Sequence, residues 1–174
     1  MIVCGYAKSN DTNESSRIYS TSNGGESWDI VGSGPATNII KGVVYVSSDV
    51  GFFCYDYVEG MDSNLYKTDD GGKTFAKVML EEQELDSSAA NPQGQETETK
   101  TDSGKNGADS SEQLRWGDVY KEALTPVVDS TGIITIYLTQ GKNAVYNDGK
   151  TAAKYQSSDK GSTWKYIGQV EIKD

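Results

Sequence analysis

Apolar and β-branched residues in this chain fall into runs of four to eight, separated by clusters of Gly, Ser, Asn and Asp, a pattern that predicts strands joined by turns. One set of four runs is Val43–Ser47, Phe52–Tyr57, Leu65–Thr68 and Phe75–Leu80. A second is Thr125–Asp129, Ile133–Thr139, Ala153–Ser157 and Trp164–Glu171. A third set has three members, Ile2–Ala7, Arg17–Thr21 and Ser27–Val31. The connections Ser48-Asp49-Val50-Gly51 and Asp129-Ser130-Thr131-Gly132 match in place and chemistry. Trp116–Glu122 reads as an added strand or a short helix, and no amphipathic helix is evident elsewhere.

The three sets share one octapeptide: Thr21-Ser22-Asn23-Gly24-Gly25-Glu26-Ser27-Trp28, Thr68-Asp69-Asp70-Gly71-Gly72-Lys73-Thr74-Phe75 and Ser157-Ser158-Asp159-Lys160-Gly161-Ser162-Thr163-Trp164. Its form is Ser/Thr, any, Asp/Asn, any, Gly, any, Ser/Thr, Trp/Phe, and Tyr19, Tyr66 and Tyr155 each stand two residues ahead of a copy. The physical reading is a hairpin. Asn23, Asp70 and Asp159 accept backbone N–H bonds across the turn, and Gly25, Gly72 and Gly161 supply a positive φ. Ser27, Thr74 and Thr163 suit the outgoing strand and are expected to offer a hydroxyl to the turn. Trp28, Phe75 and Trp164 are expected to bury a large ring in equivalent places.

These octapeptides resemble Asp-boxes, the bacterial neuraminidase repeats of sialidases and other glycoside hydrolases, of the sortilin luminal domain and of photosystem assembly factors. The resemblance covers the three copies and, more loosely, their flanking strands. It implies that each copy lies in the hairpin between the third and fourth strands of a β-propeller blade, as a structural element away from the functional face. It also implies an extracellular or cell-surface location.

The copies begin at 21, 68 and 157. Without a 33-residue polar segment, Glu81–Gln113, both spacings come close to one propeller repeat. The expected fold is therefore all-β: about three four-stranded antiparallel blades, the first incomplete. Residues 1–80 form two blades and 114–174 the third, within a propeller of roughly six to eight blades. The innermost strand of the first blade is expected before Met1. That points to a piece of a longer propeller, rather than to several chains assembling one, with missing blades or a second copy closing the ring.

Composition narrows the chemistry. The chain of 174 residues carries a net charge of −10, against a phosphate-backbone binder, and no run is long and apolar enough for a membrane span. Glu81–Gln113 alone holds nine acids and two lysines without an aromatic, and is expected to be a disordered acidic low-complexity insertion. No basic stretch with an apolar core opens the sequence as a secretory signal would. Histidine is absent, which excludes Ser-His-Asp and Cys-His catalysis and imidazole metal sites. Cys4 and Cys54 lie in β-like runs and read as free buried thiols. Gly24-Gly25 and Gly71-Gly72 lie in hairpins before strands, so no phosphate cradle is expected, and neither cofactor nor metal is implied.

A sialidase-like arginine triad cannot be carried over, because Arg17 and Arg115 are the only arginines. A glycosidase carboxylate pair could draw on Asp49, Asp56, Glu59, Asp118 and Asp148, but their spacing selects none. Two functions remain. One is a binding or scaffolding module for glycans or a protein partner, with Tyr57, Trp116 and Tyr146 as possible aromatic contacts. The other is a piece of an extracellular glycoside hydrolase whose catalytic residues lie mostly outside this chain.

Overall fold

The computed structural model describes residues 2–5, 17–36, 38–85, 115–141 and 146–172, with only the backbone of 2–5. Within them the chain is all-β, with three antiparallel sheets in chain order. The first holds β1 (Ile2–Gly5), β2 (Arg17–Ser20) and β3 (Asp29–Ser33). The second holds β4 (Ile40–Tyr45), β5 (Gly51–Tyr55), β6 (Leu65–Thr68) and β7 (Ala76–Lys77). After a short helix α1 (Trp116–Val119), the third holds β8 (Glu122–Ala123), β9 (Val127–Val128), β10 (Ile134–Thr139), β11 (Thr151–Ser157) and β12 (Lys165–Glu171). Every sheet is a meander, each strand pairing with the next in sequence, except that β8 and β9 share one edge of β10.

The differences from the expected strands have local causes. Ser27, Thr74 and Thr163 give their hydroxyls to the turn, as expected, but stand ahead of the outgoing ladders. Their amides bond back to the side chains of Asn23, Asp70 and Asp159, so the ladders resume later, at Asp29, Ala76 and Lys165. The inner strand of the third sheet starts at Glu122 and breaks around Pro126, which has no N–H for the ladder. The segment left open as strand or helix is helix over Trp116–Val119 and strand from Glu122. Four residues are too few for a helix to hold itself. Burial of Trp116 and Val119 against Tyr120, Tyr146 and Tyr155 keeps α1 on the third sheet.

The second sheet is sandwiched between the other two, and β5 shows it. Phe52 and Cys54 point to one side and join Ile134, Ile136 and Ala123 of the third sheet. Phe53 and Tyr55 point to the other and join Ile18 of the first. Because both faces are covered, every residue of β5 is buried and its sequence loses the alternation of a half-exposed strand. Each such ring contributes about 1.5–3 kcal/mol on burial. The second and third octapeptide turns sit on the sheet before their own. A Cβ at Gly72 would touch Ile18 at 3.1 Å, and one at Gly161 would collide with the Phe52 ring.

A side chain also ties the second sheet to the third. Asn64 is buried and copies a β-ladder: its Nδ2 donates to Ala123 O (3.0 Å) and Tyr55 O (2.8 Å), while Ala123 N donates to its Oδ1 (2.9 Å). The Cys54 thiol, free and buried as expected, donates to the same Ala123 carbonyl at 3.2 Å. Burial pushes it up to about 11, so it stays a thiol at neutral pH. The side chain of Cys4 lies outside the described residues.

Part of the acidic segment belongs to this framework. Tyr155 Oη donates to Glu81 O at 2.7 Å and Leu85 packs beside α1, so 81–85 lie against the third sheet. The remainder, 86–113, lies outside the described residues.

Asn64→Ala strips partners from buried backbone groups of both sheets and should cost about 2–3 kcal/mol in urea unfolding; a loss below about 0.5 kcal/mol would mean the clasp holds nothing. Two turn glycines separate packing from backbone strain. Gly24, at φ 76°, has no atom within 4 Å of a built Cβ, whereas Gly161, at φ 77°, is pressed on Phe52. Gly24→Ala should therefore lose only the left-handed strain, about 1–2 kcal/mol, and Gly161→Ala clearly more. Equal losses would contradict the stacking of the turn on β5.

Candidate functional site

The three octapeptides form one repeated structure. The first hydroxyl caps the turn: the N–H groups of Gly25, Gly72 and Gly161 donate to Thr21 Oγ1 (2.9 Å), Thr68 Oγ1 (2.9 Å) and Ser157 Oγ (2.8 Å). Those hydroxyls then donate to Asn23 Oδ1 (2.9 Å), Asp70 Oδ1 (2.8 Å) and Asp159 Oδ1 (2.7 Å). In the second and third copies, Thr74 Oγ1 and Thr163 Oγ1 donate to the other carboxylate oxygen, both at 2.6 Å. The first copy reverses that bond. Asn23 carries an amide, and its Nδ2 donates to Ser27 Oγ at 2.9 Å. The same closed ring is thus built with a charge in two copies and without one in the first.

The carboxylates are consumed by this task. The Thr74 hydroxyl, then its amide, holds Asp70 well below the usual carboxylate range, and Thr163 with Ser157 does the same for Asp159. Asp129 is a third acid of this kind that the sequence reading did not single out. It accepts Thr131 Oγ1 (2.6 Å), Thr131 N (2.8 Å) and Ile133 N (3.1 Å) and is also lowered. The pairing of hydroxyl two residues after an Asp in a turn was its signal.

The turn rings are less buried than expected. Trp28, Phe75 and Trp164 are all half-buried, because each lies just outside the ladder at a sheet edge. Phe75 meets Phe53 edge-on at 4.9 Å between centroids, and Trp164 meets Phe52 at 5.9 Å. Trp28 instead donates its indole N–H to Gly25 O at 3.1 Å.

At the sheet end opposite the turns, a groove of about 350 Å³ opens between the second and third sheets. The loop after β5 gives Tyr57, Glu59, Met61 and Asp62; the strand exit after β7 gives Val78, Met79, Leu80 and Glu82. The segment from α1 to β8 adds Gly117, Tyr120 and Lys121. Lys121 Nζ bonds Glu59 Oε1 at 3.0 Å across the two sheets, and Lys77 pairs with Asp62. Burial and the Glu59 charge both raise the Tyr57 hydroxyl.

Of the proposed aromatic contacts, only Tyr57 is half exposed in this groove. Trp116 lines it but is 4% exposed, and Tyr146, at 1%, is outside it. Gln140 clamps Tyr146, donating to its carbonyl at 2.7 Å and accepting its amide at 3.1 Å. The expectation that Trp116 and Tyr146 present open rings is thus corrected: both are core residues. The carboxylate candidates are scattered. Asp49 accepts the Ser48 hydroxyl at 3.1 Å, and Asp56 is paired with Lys41 at 3.0 Å. Asp118 and Asp148 are exposed on α1 and in the Tyr146–Gly149 turn, and only Glu59 reaches the groove. Arg17 and Arg115 are exposed, and among the described residues no cluster of His, Cys, Asp and Glu could hold a metal.

Searches against family models, curated proteins and solved structures return no match to this chain.

The turn carboxylates set a pH dependence. With folded values below unfolded ones, Asp70 and Asp159 stabilise the fold above the unfolded carboxyl value, near 4, and lose that contribution as pH falls below it. The thermal midpoint should drop between about pH 4 and pH 2. Asp70→Asn/Asp159→Asn, which copies the neutral first turn, should flatten that limb. An unchanged acid slope in the double variant would show that other groups set it.

Proposed function

We propose that the chain is a non-catalytic binding or scaffolding module made of Asp-box blades of β-propeller type. The groove at the sheet end opposite the octapeptide turns is the observation that carries this reading. In a propeller, ligands gather where loops of neighbouring sheets converge, and here the loops of two sheets converge on Tyr57, Met61, Met79 and Lys121. The stacking of the second and third turns on the preceding sheet supports the blade reading, with further blades or a second copy of the chain completing the ring. An extracellular or cell-surface setting goes with that reading.

Burial tips the ligand class. Sugar recognition by stacking needs open ring faces, and two of the three candidate rings are in the core. The groove is then better suited to a protein partner than to a glycan. Within the groove the Lys77 bond lowers Asp62, whereas a general acid of the hydrolase alternative needs a raised carboxyl.

The test is a panel of aryl glycosides, including sialosides, beside glycan and peptide arrays probed with the purified chain. The expected outcome is peptide binding that weakens in Tyr57→Ala, with no turnover. Turnover lost in Glu59→Gln or Glu82→Gln would move the protein to the hydrolases.

A further inference from the structure

The groove joins an apolar lining to an acidic rim. Val78, Leu80 and Leu138 line it, while Met79, 69% exposed, stands beside it. Three acids face this space, Glu59, Asp62 and Glu82, against one lysine, Lys121. Glu59 and Asp62 already have lysine partners, whereas among the described residues no ion pair engages Glu82. Its carboxylate reaches over Gly117, within 2.7 Å of where a Cβ would stand.

The sequence that joins two of the groove's lining residues is acidic as well. Glu82 and Trp116 both line the groove, so the acid-rich stretch between them is anchored at its edge from both sides. Glu81–Gln113 carries nine acids and two lysines. An occupant of that sign would meet like charge at the rim, whereas one of opposite sign would be attracted.

The geometry points to a cationic peptide segment of a partner protein as the occupant, with an aliphatic side chain on the Val78–Leu80–Leu138 lining and a Lys or Arg beside Glu82. The half-exposed Tyr57 ring offers the cation a second contact of the cation–π kind. This rests on the binding-module reading above and specifies its ligand.

The experiment titrates the full chain with fluorescein-labelled hexapeptides of alternating Lys and Leu, and of alternating Glu and Leu, with a panel of neutral and sialylated oligosaccharides in parallel. The Lys-Leu peptide should bind and the Glu-Leu peptide should not, and added salt should weaken the complex. Glu82→Gln should weaken it about threefold or more. Met79→Ser, an exposed and charge-neutral change, should weaken it too, whereas binding to the acidic segment alone would leave it untouched. Near-UV circular dichroism would confirm that both variants are folded. Equal affinity for the two peptides, or indifference to both substitutions, would overturn the cationic-segment assignment. Oligosaccharide binding that Tyr57→Ala abolishes, with no peptide binding, would overturn it while leaving the module reading in place. Silence from every probe would overturn both.

Discussion

A hydroxyl that accepts an N–H from a glycine four residues ahead, and donates to an Asx side chain between them, fixes the three sheets. That bond set closes the turn before any other part of the chain is needed, because all its members lie within one octapeptide. Once closed, it places a glycine at the tip with no side chain to keep the neighbouring sheet away. Gly72 then lies on Ile18 and Gly161 on Phe52. Local hydrogen bonding and inter-sheet packing are therefore one constraint. The same backbone shape that satisfies the turn creates the flat surface on which the preceding sheet rests.

The exchange of Asp for Asn in the first copy shows which part of the motif is indispensable. The acceptor oxygen toward Ser27 N and the Thr21 hydroxyl is kept, while the second polar atom changes from acceptor to donor and the serine hydroxyl turns to suit it. Geometry is conserved and charge is not. The carboxylates of the other two copies are accordingly turn-forming groups and not reserves of reactivity, and their lowered titration has a local structural cause.

The turns were legible because every atom in them comes from adjacent residues, and the all-β meander followed from the runs between them. What failed to show in the sequence depends on distant partners. Asn64 looks like one more loop asparagine until β8 is laid beside it, and its amide then serves as a rung of ladder to Ala123, 59 residues away. Trp116, next to a polar stretch, reads as an exposed ring, yet Tyr120 at the end of its own helix, at 4.6 Å, and Tyr166 of the third sheet, at 5.3 Å, enclose it. The start of the acidic segment was drawn by composition at Glu81, but a backbone carbonyl needs no apolar side chain to be useful, and Tyr155 takes Glu81 into the fold through it. The ladder starts were drawn too early, at Ser27, Phe75 and Trp164, because the amides of Ser27, Thr74 and Thr163 are committed to the turn.

The distribution of committed and uncommitted charge then separates the two ends of the sheets. At the turn end, Asp70 and Asp159 have their oxygens engaged by hydroxyl and amide donors, so a ligand there would compete with bonds that hold the fold together. At the opposite end Glu59 and Asp62 meet lysine side chains at the surface, and such exposed pairs exchange partners at little cost. Apolar surface is also available at that end, where Met79 and Val58 remain exposed beside a cleft between two sheets. A partner can therefore be recognised at this end without disturbing the turns, and the turns can hold the cleft walls in place without contributing to its chemistry.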